Sequence, residues 1–179
     1  MNEQEIGKQL LAETVSYAES TTCRVRQLLN YFGEEMTEDC GNCDNCLNPK
    51  EKFEGKEDVQ TVLETIIAAK EGFKTEHFIN ILMGKVTSEI SNYQHDKLPT
   101  YGIGADETPL YWKGVIRQMI IAKLIEKGIV NYGLLKVTEK GYEFFKNPYS
   151  IMLTRDTDYE AIEDQERDSE YGGTAAADE

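Results

Sequence analysis

The 179-residue sequence lacks the features that would mark a membrane-spanning protein, a secreted protein or an enzyme of a familiar class. No apolar run approaches the roughly 18–20 residues of a membrane span, and the acidic start has no apolar segment of a secretory signal. There is no Gly-x4-Gly-Lys-Ser/Thr phosphate loop and no Ser/His/Asp set with supporting spacing. We therefore expect a cytoplasmic binding module, of one domain or two small ones, with no membrane partner.

Histidine is also scarce, which limits the metal and acid–base chemistry open to the chain. Its only two histidines, His77 and His95, are 18 positions apart. Neither has a second histidine or a cysteine at ligand spacing. We do not predict them to be metal ligands or a catalytic pair.

Cysteine is limited to four residues, and all four fall in one pattern, Cys-x16-Cys-x2-Cys-x2-Cys, formed by Cys23, Cys40, Cys43 and Cys46. A two-residue gap lets the chain turn back so that neighbouring sulfurs reach one ion. The intervening glycine, asparagines and aspartate are the residues that such turns favour. Four thiolates complete a tetrahedron with no open position, so the pattern predicts a structural Zn²⁺ site.

Two other uses of these cysteines remain open from the residues alone. Two disulfides are possible, although an expected cytoplasmic location favours metal binding. An iron–sulfur cluster also uses four thiolates, and Cys-x2-Cys-x2-Cys overlaps a ferredoxin run. That run has a further cysteine followed by proline, whereas Leu47-Asn48-Pro49 follows here. Zinc is therefore the hypothesis that we carry forward.

The charge of the chain is unevenly distributed. The net charge is −14, which by itself argues against binding to nucleic acid. Residues 1–55 carry 5 basic and 11 acidic groups, and residues 148–179 carry 2 and 10. Residues 56–147 carry 12 of each sign, so the middle of the chain is free to present a local basic face.

Apolar periodicity and turn residues predict a mainly α protein with a small β wing. We expect helices over residues 6–20, 23–32, 56–70, 74–83 and 108–127, a short helix near 87–95, and another from 138. We expect a β-hairpin that pairs residues 129–132 with 134–138. The predicted organisation is a zinc-binding helical hairpin (1–54, ending in a linker at 47–55), a winged-helix domain (55–147) and an acidic, disordered tail or linker (148–179).

A winged helix is a helix-turn-helix variant that can place a helix in the major groove of DNA. The predicted helix 108–127 carries Lys113, Arg117 and Lys123 among its polar positions, and Lys136 and Lys140 lie on or beside the predicted wing. We predict these five side chains as DNA contacts, chiefly to phosphates. The alternative is that they are ordinary solvated charges.

Two stretches of the sequence resemble a known family. Residues 28–34, Leu-Leu-Asn-Tyr-Phe-Gly-Glu, followed by the cysteine pattern, resemble the zinc-binding region of RecQ-family DNA helicases. His95-Asp96-Lys97-Leu98, Tyr101-Gly102-Ile103-Gly104, Trp112 and Ile116-Arg117-Gln118 resemble the winged helix that follows it. Together these form the RecQ C-terminal, or RQC, region, and the likeness is to bacterial members, whose wing is short.

The resemblance implies a function for the chain. Full-length members couple ATP hydrolysis, with Mg²⁺, to 3′-to-5′ unwinding of DNA in repair, recombination and replication. Two ATPase lobes precede the RQC region, so we expect a fragment that neither hydrolyses ATP nor unwinds DNA alone. Its expected partners are duplex or forked DNA near the unwinding junction and the ATPase lobes of the parent chain, and its expected location is the bacterial nucleoid. The alternative is a protein-interaction module that docks on the helicase core or a partner, with little DNA contact.

Overall fold

The computed structural model describes residues 3–70, 72–128 and 133–158. The chain divides into two compact units, one made of residues 1–20 with 156–179 and the other of residues 21–155. The helices are α1 Glu3–Glu19, α2 Arg24–Tyr31, α3 Asp44–Leu47, α4 Lys56–Ala68, α5 Thr75–Leu82, α6 Ser88–Tyr93, α7 Pro109–Ile121 and α8 Glu139–Lys146, with a 3-10 turn at His95–Lys97. The strands are β1 Lys52–Glu54, β2 Ile125–Lys127, β3 Leu135–Val137 and β4 Met152–Thr154. Over the described residues, every helix is too short or too polar to cross a bilayer.

The winged-helix core lies in the second unit, where α4, α5 and α7 pack against one another. Val62, Phe78 and Met119 are fully buried at the centre of the apolar cluster that these helices share. The β2–β3 hairpin follows α7, with Ile125 opposite Val137 and Lys127 opposite Leu135. Three helices followed by a hairpin confirm the predicted winged helix, and the mainly α fold class is also confirmed.

Helix α7 begins where the sequence predicts, but it ends six residues early. Thr108 caps its start by accepting a hydrogen bond from the Tyr111 N–H at 3.1 Å. At the other end Lys123 has a left-handed φ of 59°, and the Leu124 N–H donates to the Met119 carbonyl at 3.0 Å. The Lys123 N–H also donates to the Ile120 carbonyl at 3.0 Å. The two bonds form a Schellman motif, which terminates the helix after Ile121. Because the left-handed residue is lysine rather than glycine, the sequence carries no visible stop signal.

A β-hairpin is confirmed here, and its second strand, β3, lies within the predicted residues 134–138. Residues 129–132, where we predicted the first strand, lie outside the described residues. The strand that pairs with β3 is β2, where apolar periodicity predicts the end of a helix.

Two segments predicted to lack regular structure form a sheet with each other. In the predicted linker, β1 pairs antiparallel with β4 of the predicted tail, with Phe53 opposite Leu153. Leu153 is 2% exposed and fills the space above Gly55, where a Cβ atom would collide with its side chain. The prediction is therefore wrong at 52–54 and 152–154, because a long-range partner orders strands that local composition does not reveal. From residue 159 onward the predicted tail lies outside the described residues.

The side chain of Gln118 holds β4 against α7. Its Nε2 donates to the Thr154 carbonyl at 2.8 Å, and its Oε1 accepts from the Thr154 N–H at 2.9 Å. Next along the chain, Arg155 forms a two-bond ion pair with Glu107 at 2.8 and 3.0 Å. The same guanidinium lies 4.5 Å from the Tyr111 ring centroid. These contacts fix the end of the second unit on the helix that forms its centre.

Candidate metal centre and nucleic-acid interface

The structure brings the four predicted ligands, Cys23, Cys40, Cys43 and Cys46, into one cluster. All four Sγ atoms lie within 4.8 Å of one another. The Cys43 and Cys46 sulfurs are 3.4 Å apart, and those of Cys40 and Cys46 are 3.9 Å apart. Four sulfurs about 2.3 Å from one zinc ion would be about 3.8 Å apart in a tetrahedron. The donor set and its spacing therefore fit structural zinc.

Local secondary structure positions these sulfurs. Cys23 directly precedes α2, and Cys43 directly precedes α3, which contains Cys46. The Cys40 N–H donates to the Cys23 sulfur at 3.3 Å, and the Arg24 N–H donates to the Cys43 sulfur at 3.4 Å. Backbone N–H groups directed at sulfur favour the thiolate, which is the form that binds metal.

A second layer of contacts ties the loop at residues 40–46 to the start of α2. The Arg24 guanidinium donates to both Asp44 oxygens, at 3.0 and 2.9 Å, and this contact lowers the pKa of the Asp44 carboxyl. The Asn45 amide donates to the Thr22 carbonyl at 2.8 Å. Partners of this kind hold ligand-bearing segments in place around a metal.

Two of the thiols differ in acidity. Burial raises the pKa of the Cys43 thiol, but hydrogen bonds from the Arg24 and Cys46 backbone and from neighbouring thiols outweigh burial and bring it to about 7. Burial and the Cys43 contact raise the pKa of Cys46 to about 12. Zinc binding must deprotonate such thiols, so metal binding releases protons and weakens in acid.

The alternatives to zinc can be weighed against this geometry. None of the four cysteines forms a disulfide, since the 3.4 Å between the Cys43 and Cys46 sulfurs is far longer than the S–S bond of about 2.05 Å. An iron–sulfur cluster would use the same four donors, and elemental analysis separates it from zinc. Four thiolates leave tetrahedral zinc no open position for catalysis.

The predicted DNA contacts on α7 do not lie on an exposed face. Arg117 is 8% exposed, and Lys113 is half-buried. Besides α4 and α5, both α2 and β4 contact α7, so the helix is covered on several sides. The expectation that Arg117 projects from an exposed helix face is wrong, because Arg117 is buried on a helix that elements distant in sequence also contact.

The remaining predicted contacts lie near the wing and the end of α7. Lys136 is exposed on β3. Lys123 and Lys140 line a groove of about 360 Å³, which Arg26 of α2 also lines. The Lys140 ammonium donates to the Ala122 carbonyl at the end of α7, at 2.8 Å. The structure thus brings Lys123, Lys140 and Arg26 together. Arg26 was not predicted from the sequence, because it lies in the zinc-binding segment and far from the predicted wing.

Acidic residues share this groove. Glu34 and Glu35 line it as well, so its charge is mixed. The exposed lysine on β3 is therefore a clearer candidate for a phosphate contact than the groove residues are.

The two histidines, which the sequence separates, are in contact. His77 Nε2 lies 2.8 Å from His95 Nδ1, and His77 Nδ1 lies 2.9 Å from a Glu89 carboxylate oxygen. Both rings are buried, and Phe73 stacks on His77 with a centroid distance of 4.3 Å. Among the described residues, the four cysteines form the only cluster that meets the geometry of a metal site.

The histidine pair should make the fold sensitive to acid. Burial lowers the pKa of both rings below 6.5, aided at His95 by the neighbouring His77 and opposed by Glu89. The unfolded chain binds these protons at higher pH than the folded chain does. The contribution of the pair to the free energy of unfolding is therefore complete above about pH 6.5 and is lost on acidification. NMR titration of the two histidine Hε1 signals should give both midpoints below 6.5. A midpoint at or above that value for either ring would contradict the burial argument.

Two family models together match most of the chain. The RecQ zinc-binding model matches residues 1–47 and the RQC domain model matches residues 49–161. The cysteine cluster falls in the first range, and the winged-helix core falls in the second.

Curated relatives point in the same direction. An ATP-dependent DNA helicase RecQ of Haemophilus influenzae is 37% identical over 152 residues, which cover 84% of this chain and 25% of the relative. The protein of the same name from Pasteurella multocida is 37% identical over 142 residues, 78% of this chain and 22% of the relative. One from Bacillus subtilis is 28% identical over 141 residues, 79% of this chain and 24% of the relative. The chain spans about a quarter of the length of these relatives. With its four-cysteine centre and winged helix in the order of the two models, the chain belongs to the RecQ family and contains that family's zinc-binding and RQC regions.

Proposed function

We propose that this chain is the zinc-stabilised, duplex-binding module of a RecQ-type helicase. The observation that carries the proposal is 37% identity, over most of the chain, to proteins named ATP-dependent DNA helicases. In this proposal the winged helix binds duplex DNA beside the junction that the parent protein opens. ATP hydrolysis, with Mg²⁺, and 3′-to-5′ unwinding in repair, recombination and replication belong to parts of the parent that this chain does not align with. A cytoplasmic, nucleoid-associated location is part of the same proposal, because DNA is the ligand.

The geometry changes which side chains we propose as DNA contacts. Arg117 is withdrawn because it is buried, and half-buried Lys113 becomes secondary. The exposed Lys136 on β3 is the leading candidate, followed by Lys140 and Lys123 beside the groove. Lysine contacts of this kind hold phosphates and position the duplex without reading its sequence.

Anisotropy titrations of a labelled forked duplex test the proposal. Wild-type chain should bind at about 50 mM salt and weaken steeply by about 200 mM, since each phosphate contact releases counterions. Lys136→Glu should reduce affinity roughly 3- to 10-fold and lower the salt slope by about one unit. Adding Lys140→Glu should reduce affinity further.

Lys85→Glu is the matched control, because Lys85 is an exposed lysine outside both the wing and the groove. It reverses the same charge and should leave affinity within about twofold, because long-range effects are screened at these salt concentrations. Equal losses for Lys85→Glu and Lys136→Glu would show that net charge alone determines binding. Absence of binding at both salt concentrations would contradict the proposed function.

One observation favours docking on protein as a second function. Helix α2 contains no buried residue, and Val25, Leu28 and Phe32 form an exposed apolar stripe at helical spacing, with Phe32 70% exposed. A stripe of this kind suits packing against another protein surface, such as the ATPase lobes of a parent chain. If that is its use, Phe32→Ser should leave forked-duplex affinity unchanged while weakening association with separately expressed lobes.

A further inference from the structure

An open cavity of about 620 Å³ lies on the winged-helix core, away from the cysteine cluster. It is bounded by the start of α5, by α6 and by Leu134, which precedes β3. Among the residues that line it are Phe73, Tyr93, Glu76, Glu89 and Asn80. None of them contributes to the proposed zinc site or to the proposed DNA contacts.

Two aromatic rings form a corner of this cavity. Phe73 and Tyr93 meet edge to face, with centroids 4.9 Å apart and planes at 81°. His95 stacks on Tyr93 with a centroid distance of 5.6 Å and an interplanar angle of 24°, which fixes the tyrosine ring from one side. Tyr93 is nevertheless 60% exposed. An aromatic ring held on one side and open on the other is a ready surface for stacking.

The charged lining of the cavity is predominantly acidic. Its lining contains two glutamates, Glu76 and Glu89, and one lysine, Lys74. Glu89 accepts a hydrogen bond from His77, but its side chain remains 57% exposed. Because burial lowers the pKa of His77, that ring is neutral at pH 7 and leaves the Glu89 charge uncompensated. The lining therefore carries a net charge of −1, with further acceptors on Asn80 and Ser88.

We propose that this cavity binds an arginine side chain of a protein partner. A guanidinium is planar, so it can stack on the exposed face of Tyr93 while its N–H groups pair with carboxylates. Charge complementarity favours this occupant, because the same carboxylates repel the phosphates of a nucleic acid. The net charge of −14 adds a long-range attraction for a basic partner.

Fluorescence titration with a labelled Gly-Arg-Gly-Arg-Gly peptide tests the proposal, with the citrulline peptide as a matched probe that keeps the shape and removes the charge. The arginine peptide should bind at least about 10-fold more tightly than the citrulline peptide. Tyr93→Ala and Glu89→Gln should each weaken it roughly 3- to 10-fold. Glu76→Gln should also weaken it, and this change leaves the Glu89–His77 contact in place.

Tyr149→Ala and Glu143→Gln serve as controls, since both residues are exposed and lie outside the cavity. Their affinities should match that of wild type. Equal losses in the cavity and control variants, or no arginine binding at millimolar peptide, would overturn the proposal. It would also be overturned if a single-stranded oligonucleotide bound in a Tyr93-dependent manner and displaced the peptide, because the cavity would then be a nucleobase site.

Discussion

Cys43→Ser should abolish stoichiometric zinc binding and unfold the cysteine-bearing hairpin at residues 21–47. Serine is a poor zinc ligand at neutral pH, and three thiolates would remain. Helices α2 and α3 contain no buried residue, so no apolar core replaces the metal in holding them. Structural zinc contributes about 10–16 kcal/mol in small zinc domains, and loss of one ligand should therefore cost several kcal/mol.

The winged-helix core should survive this change at first, because Val62 and Phe78 belong to an apolar cluster that contains none of the cysteines. Hydrogen exchange should show lost protection in α2 and retained protection in α4 and α5, and treatment of wild type with a chelator should reproduce the pattern. Asn42→Ser is the matched control, since Asn42 is an exposed residue between two ligands. If zinc content or the hydrogen-exchange protection of α2 is unchanged in Cys43→Ser, the assignment of Cys43 as a zinc ligand is contradicted.

Gly141→Ala should destabilise the second unit by about 3 kcal/mol or more. A Cβ atom at this position would collide with the backbone carbonyl of Leu124 and approach Cγ1 of Val137 to 2.8 Å. That carbonyl also accepts the Thr138 N–H at 3.1 Å, so it is held in place and cannot move away cheaply. Helix α8 would have to shift away from the β2–β3 hairpin, against which it packs.

Thermal unfolding measures this effect, and a loss of 3 kcal/mol corresponds to a fall in Tm of roughly 6–12 °C for a unit of this size. Gly7→Ala is the contrasting substitution, because a Cβ atom there meets nothing within 4 Å. Gly7 lies in the second turn of α1, where that change should be neutral or stabilising, by up to about 1 kcal/mol. Equal Tm values for Gly141→Ala and wild type would mean that α8 does not pack closely against residue 124.

The sequence revealed features with local signals. Three of the cysteines lie within seven residues and are separated by turn-forming residues. This local pattern indicates a metal site without any knowledge of tertiary contacts. Thr108 followed by proline marks the start of α7 in the same way. Apolar periodicity located α1, α2, α4 and α5 to within a few residues of their observed bounds.

Features that depend on distant partners were missed. The α7 stop uses Lys123 in a left-handed conformation, which lysine rarely adopts and which periodicity does not detect. Strand β4 is ordered by β1, about a hundred residues earlier in the chain. Arg117 looked exposed because a periodic pattern distinguishes one apolar face from the rest of the helix, but does not show that other elements cover the remaining faces.

The contact between His77 and His95 also depends on distant partners and could not be predicted from the sequence. A spacing of 18 residues carries no helical or turn signal, and the contact exists only because α5 and the 3-10 turn at 95–97 meet in the fold. The cavity beside them likewise depends on α6 and on a residue next to β3.

Zinc K-edge X-ray absorption on the purified chain tests most directly the claim that one closed thiolate centre holds the hairpin beside the winged helix. We predict one zinc per chain with four sulfur neighbours at about 2.3 Å and no nitrogen or oxygen neighbour. Iron in place of zinc, or a shell with fewer than four sulfurs, would contradict the account.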